Sequence, residues 1–242
     1  MCLVLDNSGS ICSIGTPRLC TNCSGGSSCK AGDATGDSSC CENNKKLEEF
    51  AIDYIESLDG EGTFSVVQYA SKASTIAEQG DSNAAIKAIN DCGYTGGYTN
   101  TEAAISECIQ QLEKVENPVN PVIVLITDGV PTACRPTSAN KEYVICKDDK
   151  ICNQCMNKSA KNGAVKMADD AKNKGMRLVP VVIQTVNTGD KWLSDKEWLS
   201  NLARCPKDDD KCDVGEYKDL QVDNVGDVGD ILGSLIRMTE CA

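Results

Sequence analysis

The chain has 242 residues, enough for one large domain with a full hydrophobic core. Its hydrophobic fraction of 40% is typical of a globular protein, and no stretch approaches the roughly 20 apolar residues of a membrane span. The formal net charge of −12 argues against nucleic acid or an anionic membrane surface as a partner. It favours cations or basic surfaces, although such a charge commonly serves only solubility.

Sixteen cysteines indicate the cellular compartment. An even, dense set is typical of secreted or cell-surface proteins and unusual in a reducing cytosol. Two N-glycosylation sequons, at Asn22 and Asn157, point the same way. No signal peptide precedes the first apolar strand, so we expect a mature form or an excised piece of a longer chain or assembly.

Strands alternate with amphipathic helices along the chain. Strands are predicted at 3–5, 64–69, 73–77, 122–126 and 178–184, the last weakened by Pro180. Helices are predicted near 47–58, 82–90, 105–112, 159–173, 197–202 and 228–236. Ser82 is expected to cap one helix, and Ser194 with Glu197 another. The pattern predicts a doubly wound, Rossmann-like α/β fold, with one antiparallel edge strand on a mostly parallel sheet and helices on both faces.

Two segments, at about 11–44 and 131–158, depart from this alternation and lack apolar periodicity. They contain six and four cysteines, so we expect disulfides to order them as insertions within a single domain spanning 1–242. Each follows the C-terminal end of a predicted strand, which is the sheet edge where α/β proteins bind ligands.

Hydroxyl and carboxylate side chains come together at the same predicted edge. Asp6, Ser8 and Ser10 follow the first strand, Asp128 follows the strand at 122–126, and Thr99 lies in a glycine-rich loop. Oxygen donors without histidine or thiolate suit Mg²⁺ or Mn²⁺, and Ca²⁺ less well. Few direct carboxylates would leave the cation with an open position for a partner's carboxylate.

Three segments of the chain resemble the metal-ion-dependent adhesion site of von Willebrand factor A domains: Asp6-x-Ser8-x-Ser10, Gly96-Gly97-Tyr98-Thr99-Asn100-Thr101 and Ile126-Thr127-Asp128-Gly129. The segment 64–69 is similar to that family's second strand, and 230–241 to its last helix. The resemblance implies direct metal binding by Ser8, Ser10 and Thr99. It implies that Asp6 and Asp128 act directly or through water, and leaves Thr101 to cap the following helix.

The remaining cysteines suggest three further disulfides. We expect Cys92–Cys108 beside the Thr99 loop, Cys205–Cys212 around an acidic hairpin, and Cys2–Cys241 between the first strand and the last helix. By the resemblance to integrin-type domains, the last bond would hold the domain in one affinity state. The alternative is that Cys2 is too deep to reach Cys241 and that one or both pair with another part of a parent chain. Structural zinc at the two Cys-x-x-Cys pairs is a weaker alternative to disulfides.

Three functional classes follow from these features. The leading interpretation is a metal-dependent adhesion or ligand-binding module whose protein partner offers an Asp or Glu carboxylate. The second is a structural assembly or matrix module whose contacts do not use the metal. An enzyme is not expected, because no nucleophile with a matched general base is visible and the chain has no histidine.

Overall fold

In the part of the chain that the structure describes, six strands form the central sheet, in the order β3-β2-β1-β4-β5-β6. They are β1 (Cys2–Asp6), β2 (Phe64–Tyr69), β3 (Ala73–Gly80), β4 (Val122–Thr127), β5 (Arg177–Ile183) and β6 (Gln221–Val222). Neighbouring strands are parallel except for β2 and β3, which are antiparallel. This is the predicted fold class, an α/β sheet with one antiparallel edge strand.

These coordinates come from a computed structural model. It describes residues 1–8, 11, 38–58, 62–116, 118–127, 129, 131–133, 149–183, 197–206, 212–213, 221–222 and 232–236. Within these ranges the side chains of 38–43, 149–158, 183 and 221–222 are not described. Most of both cysteine-rich insertions lies outside the described residues, as do Asn22 and Cys241.

Within the described residues, the sheet is accompanied by the long helices α1 (Ser38–Ser57), α2 (Ser82–Asp91), α3 (Thr101–Glu113) and α4 (Asp149–Asn173). Both α1 and α4 begin about ten residues before their apolar stripes, inside the segments expected to be insertions. Neither early segment contains glycine or proline, so the helical backbone continues where the amphipathic pattern does not. Asn157 therefore lies within α4, and its glycosylation stays a prediction.

The helix caps differ from the predicted ones by one residue. Asp81, not Ser82, caps α2, since its side chain accepts a hydrogen bond from the backbone N–H of Ala84. Asn100, not Thr101, caps α3 by accepting one from Ala103. Aspartate and asparagine accept such bonds at least as well as serine and threonine. Ser194 lies outside the described residues.

Two apolar layers cover the sheet, one on each face. On one face Leu3 and Leu5 of β1 belong to a buried cluster with residues of α1, α2 and the helical residues 232–236. On the other, Cys2 and Val4 belong to a cluster with residues of α3, α4 and the helical segment near 199. Successive residues of β1 face opposite sides of the sheet, and both sides are covered. A central strand therefore needs apolar residues at successive positions. No helix in the described part of the chain is long and apolar enough to cross a bilayer.

Pro180 sits within β5 and pairs with Leu125 of β4. The backbone N–H and C=O of Leu178 both bond to Arg204, on the side of β5 that faces away from β4. Residue 180 projects its backbone nitrogen to that same side, two residues further along. β6 pairs with β5 only from Val182 onward. The backbone N–H that Pro180 lacks is therefore not needed for any strand pairing.

The outer strand β3 is irregular and partly exposed along its length. Its register against β2 shifts twice, between Phe64 and Val66 and between Val66 and Val67. Gln79 adopts a left-handed conformation with φ of 41°. Glu78 forms an ion pair of 3.2 Å with Lys114, the residue that caps the C-terminus of α3. β3 is thus held to α3 by side chains as well as to β2 by backbone pairing.

A buried disulfide joins Cys2 of β1 to Cys108 of α3, and both residues are fully buried. The predicted pairs Cys2–Cys241 and Cys92–Cys108 are therefore wrong, and Cys92 is a free thiol. Cys108 lies on the apolar stripe of α3 that faces β1, whereas Cys92 ends α2 on the opposite face of the sheet. Because Cys2 is not bonded to Cys241, the expectation that a disulfide to β1 restrains the last helix loses its basis. Cys205 and Cys212 are joined, as predicted.

Candidate metal centre

Three of the five predicted metal ligands converge at the C-terminal edge of the sheet. The hydroxyl of Thr99 donates a hydrogen bond of 3.0 Å to Ser8 Oγ. The backbone N–H of Ser8 donates one of 2.9 Å to Asp6 Oδ1. All three residues are buried, although Thr99 is distant from Asp6 and Ser8 in the sequence. Ser10 and Asp128 lie outside the described residues, so their place in the site stays a prediction.

The second oxygen of the Asp6 carboxylate, Oδ2, accepts two further hydrogen bonds. Thr127 Oγ1 donates one of 2.6 Å and the Tyr69 hydroxyl one of 3.1 Å. Burial raises the pKa of Asp6, and the hydrogen bonds from Thr127, Ser8 and Tyr69 oppose that shift. Among the described residues no basic side chain contributes to it. A cation at this position would supply the missing positive charge.

The sequence did not identify Tyr69 as part of this site, and it gave Thr127 no role beyond its place in the segment Ile126-Thr127-Asp128-Gly129. Tyr69 ends β2 and Thr127 ends β4, so both flank Asp6 from the strands on either side of β1. The available signal was their position: each is a hydroxyl at the C-terminal end of a buried parallel strand. They orient the Asp6 carboxylate rather than adding to the predicted ligand set.

Thr99 is held through its backbone. Its N–H donates to Thr132 Oγ1 at 2.9 Å, and its carbonyl accepts from the backbone N–H groups of Thr132 and Ala133. The segment following β4 is thereby fixed to the loop that precedes α3. Asn7 links β1 to the same loop, because its Oδ1 accepts from Thr95 N–H at 2.6 Å.

A further hydroxyl beside these residues is Thr101 Oγ1, and its residue is fully buried. Two positions from Thr99, it is a further oxygen at an edge already rich in oxygen donors.

The chemistry of these side chains fits a hard divalent cation. Ser8 and Thr99 offer neutral hydroxyl oxygens, and Asp6 is a carboxylate whose burial is otherwise unfavourable. The described residues contain no group of three or more acidic, histidine or cysteine side chains able to hold a metal. Two of the three described donors are therefore neutral hydroxyls, and the third is a single carboxylate.

A second polar cluster lies on the α1–α2 face. Gly93 O accepts hydrogen bonds from Gln68 Nε2 at 2.7 Å and Asn7 Nδ2 at 3.2 Å. The neighbouring Cys92 thiol has its pKa raised to about 12, first by burial and then by the charge of Glu48. Such a thiol is protonated at neutral pH and therefore a poor nucleophile.

Glu48 of that cluster predicts a pH-dependent stability. Burial raises the pKa of Glu48 from 4.5 to about 7, Glu49 adds to the shift, and Asn44 and Lys45 oppose it. Ionisation therefore favours the unfolded chain, and stability present below pH 4.5 is lost as the pH rises to about 7. We expect Glu48→Gln to stabilise the protein by about 1 kcal/mol at pH 8, after allowance for solvent screening.

Urea unfolding at pH 5 and pH 8 would measure this effect. The gain from Glu48→Gln should be smaller at pH 5 than at pH 8. Glu56→Gln, at an exposed position of the same helix, serves as the control and should change little at either pH. A gain from Glu48→Gln that does not depend on pH would contradict the assignment.

Comparison with known protein families and solved structures shows what this fold is similar to. The family model of the von Willebrand factor type A domain matches residues 38–222. This match begins after β1, which the structure places at the centre of the sheet with Asp6 at its end. No curated protein sequence matches the chain closely enough to count as a relative.

Several solved structures share the fold at low sequence identity. The von Willebrand factor domain of the type V pili tip protein Mfa5 from Porphyromonas gingivalis has a TM-score of 0.65 and 10% identity, covering 99% of this chain and 94% of that one. Proximal thread matrix protein 1 from the mussel byssus has a TM-score of 0.60 and 15% identity, over 98% of this chain. Manganese-loaded Plasmodium vivax TRAP protein has a TM-score of 0.53 and 17% identity, over 95% of this chain and 70% of that one.

The chain spans about half of the mussel protein's length, 46%. Another structure of that protein is described as having a zinc-occupied MIDAS motif, the abbreviation for a metal-ion-dependent adhesion site. At 10–17% identity, the three likenesses establish the fold. The family match spans most of the chain and agrees with the sheet order, and the chain therefore belongs to the von Willebrand factor type A domain family.

Proposed function

We propose that this domain is a metal-dependent ligand-binding module that recognises an acidic side chain of a protein partner. One observation carries the proposal: the hydroxyls of Ser8 and Thr99 lie 3.0 Å apart beside the buried carboxylate of Asp6, at the ligand-binding edge of the sheet. Ser10 and Asp128 complete the proposed ligand set. Mg²⁺ or Mn²⁺ suits these oxygens best.

Each described residue has a distinct task in this proposal. Ser8 and Thr99 would contact the cation directly through their hydroxyl oxygens. Asp6 already accepts hydrogen bonds from Ser8, Thr127 and Tyr69, so its remaining acceptor capacity suits a metal-bound water at least as well as the metal. The bound cation would supply a coordination position that takes a carboxylate oxygen of the partner.

The overall charge makes a cation necessary for this kind of recognition. A domain of net charge −12 repels an approaching carboxylate unless positive charge is concentrated at the contact. The described ligands contribute a single carboxylate and two neutral hydroxyls. They would therefore only partly offset the two positive charges of the ion.

We further propose that the module acts outside the cell or at its surface, without catalysing a reaction. Two disulfides lie within the described residues, as expected for an oxidising compartment. The structural neighbours include a pilus tip protein and a matrix protein of the mussel byssus. The matrix protein also motivates the alternative, an assembly module whose contacts do not use the metal.

Selection from a random peptide library displayed on phage tests the proposal. Peptides bound to the immobilised domain in Mg²⁺ and then released with EDTA should be enriched in Asp or Glu at one position. Binding through a metal predicts this outcome, because the partner's carboxylate completes the coordination. The same selection on Asp81→Asn, which alters an acidic residue at the N-terminus of α2, should give the same enrichment.

Two outcomes would contradict the proposal. If the EDTA-released peptides show no enrichment in Asp or Glu, the domain does not recognise a carboxylate of its partner. Selected peptides that stay bound in EDTA would instead favour the metal-independent assembly module.

A further inference from the structure

An exposed aromatic side chain lies next to the candidate metal centre. Tyr98 directly precedes Thr99 and is 43% exposed. The described part of the chain has one other exposed large hydrophobic residue, Val119, which precedes β4 and so lies near the opposite edge of the sheet. Exposed aromatic surface is unfavourable unless a partner covers it, and aromatic residues are enriched among the residues that dominate binding energy.

The loop carrying Tyr98 is fixed at successive positions. Gly96 and Gly97 have φ of 64° and 109°, conformations that favour glycine. A Cβ added at Gly97 would lie 2.7 Å from Ser71 Oγ, so the loop packs tightly on the turn between β2 and β3. The backbone N–H of Tyr98 donates a hydrogen bond of 3.0 Å to that same Ser71 oxygen.

The same loop is attached to the residues that follow β1. The backbone N–H of Gly96 donates to the carbonyl of Asn7 at 3.0 Å. The Tyr94 hydroxyl donates to the carbonyl of Ser8 at 3.1 Å. The backbone of Tyr98 is therefore held in a defined place relative to Ser8 and Thr99 before any partner arrives. Such pre-organisation reduces the entropy lost on binding.

We infer that Tyr98 is a specificity-determining contact that takes an apolar side chain next to the partner's carboxylate. This inference rests on the proposed function, because the carboxylate at the metal brings the neighbouring residue to Tyr98. An apolar neighbour gains by burying the exposed ring, whereas a second acidic residue meets a net charge of −12. The partner chemistry is thus one Asp or Glu with an adjacent aliphatic, aromatic or proline residue.

The test repeats the displayed-peptide selection on the wild type and on Tyr98→Ala. With the wild type, EDTA-released peptides should carry an apolar residue beside the enriched Asp or Glu. With Tyr98→Ala the acidic enrichment should persist while the apolar preference disappears. A synthetic peptide from the wild-type selection should bind Tyr98→Ala about tenfold more weakly or worse.

Matched variants and a separate metal measurement make the outcomes distinct. Tyr98→Phe should keep most of the peptide affinity, because it retains the ring, and Val119→Ala should keep all of it. Calorimetric Mg²⁺ affinity should be the same for wild type and Tyr98→Ala. Unchanged peptide affinity in Tyr98→Ala, or lysine and arginine beside the acid in place of apolar residues, overturns the inference and leaves the metal proposal intact. Absence of acidic enrichment in the wild type overturns both.

Discussion

Asp6→Asn is expected to abolish Mg²⁺ binding while leaving the fold intact. The substitution keeps the shape of the side chain and removes the charge that the cation would neutralise. In the wild type, Mg²⁺ at a hundredfold excess over its Kd should add about 2.7 kcal/mol to the free energy of unfolding. The variant should show no such gain, because the amide of asparagine lacks that charge and replaces an acceptor oxygen with a donor group.

Calorimetry with Mg²⁺ and thermal unfolding with and without the ion measure the two halves of this prediction. Asp53→Asn, an exposed position on α1, is the matched control and should bind Mg²⁺ as the wild type does. Without metal, Asp6→Asn should still unfold in one cooperative transition, because the loss of an acceptor for Thr127 and Tyr69 is offset by removal of a charge that burial disfavours. Equal Mg²⁺ affinity in the wild type and Asp6→Asn would falsify the site.

Removing the buried disulfide should produce the largest loss of stability. The bond joins residues separated by 106 positions. In the chain-entropy model a loop of about 100 residues contributes about 4.7 kcal/mol. We expect the double variant Cys2→Ala/Cys108→Ala to lose about 4–5 kcal/mol in urea unfolding. Alanine is preferred to serine because it leaves no unsatisfied hydroxyl in the core.

The second disulfide provides an internal comparison. Cys205 and Cys212 are separated by only 7 positions, for which the same model gives about 2 kcal/mol. The Cys205→Ala/Cys212→Ala variant should therefore lose about half as much. Equal losses in the two double variants would show that loop length does not set the stabilisation. Non-reducing peptide mapping that linked Cys2 to Cys241 would contradict the structure itself.

The interior strands could be predicted because their residues leave a plain signal. β4 is an uninterrupted run of apolar residues from Val122 to Ile126, as a strand covered on both faces requires. β6 could not be predicted, since two residues carry no periodicity. The early starts of α1 and α4 were also missed, because apolar spacing marks the buried stripe of a helix and not its ends.

Some residues of the candidate site could likewise be predicted from the sequence, and others could not. Asp6 and Ser8 were found because a short motif follows a central strand, and Thr99 because it lies in a glycine-rich loop that precedes a helix. Tyr69 was missed because its hydroxyl acts across the sheet, at a distance in sequence that no motif records. The partner of Cys2 was missed although Cys108 lies on a visible apolar stripe. Spacing along the chain does not show which face of the sheet a cysteine occupies.

The irregular outer strand β3 bears on how copies of this domain behave when crowded together. An exposed, regular strand offers unpaired backbone groups to any neighbouring chain and invites polymerisation through continuous sheets. The two register shifts along β3, the left-handed Gln79 and the ion pair of Glu78 with Lys114 all disturb that template. Domains packed closely on a surface or in a matrix would thus meet through their side chains, and their sheets would stay separate.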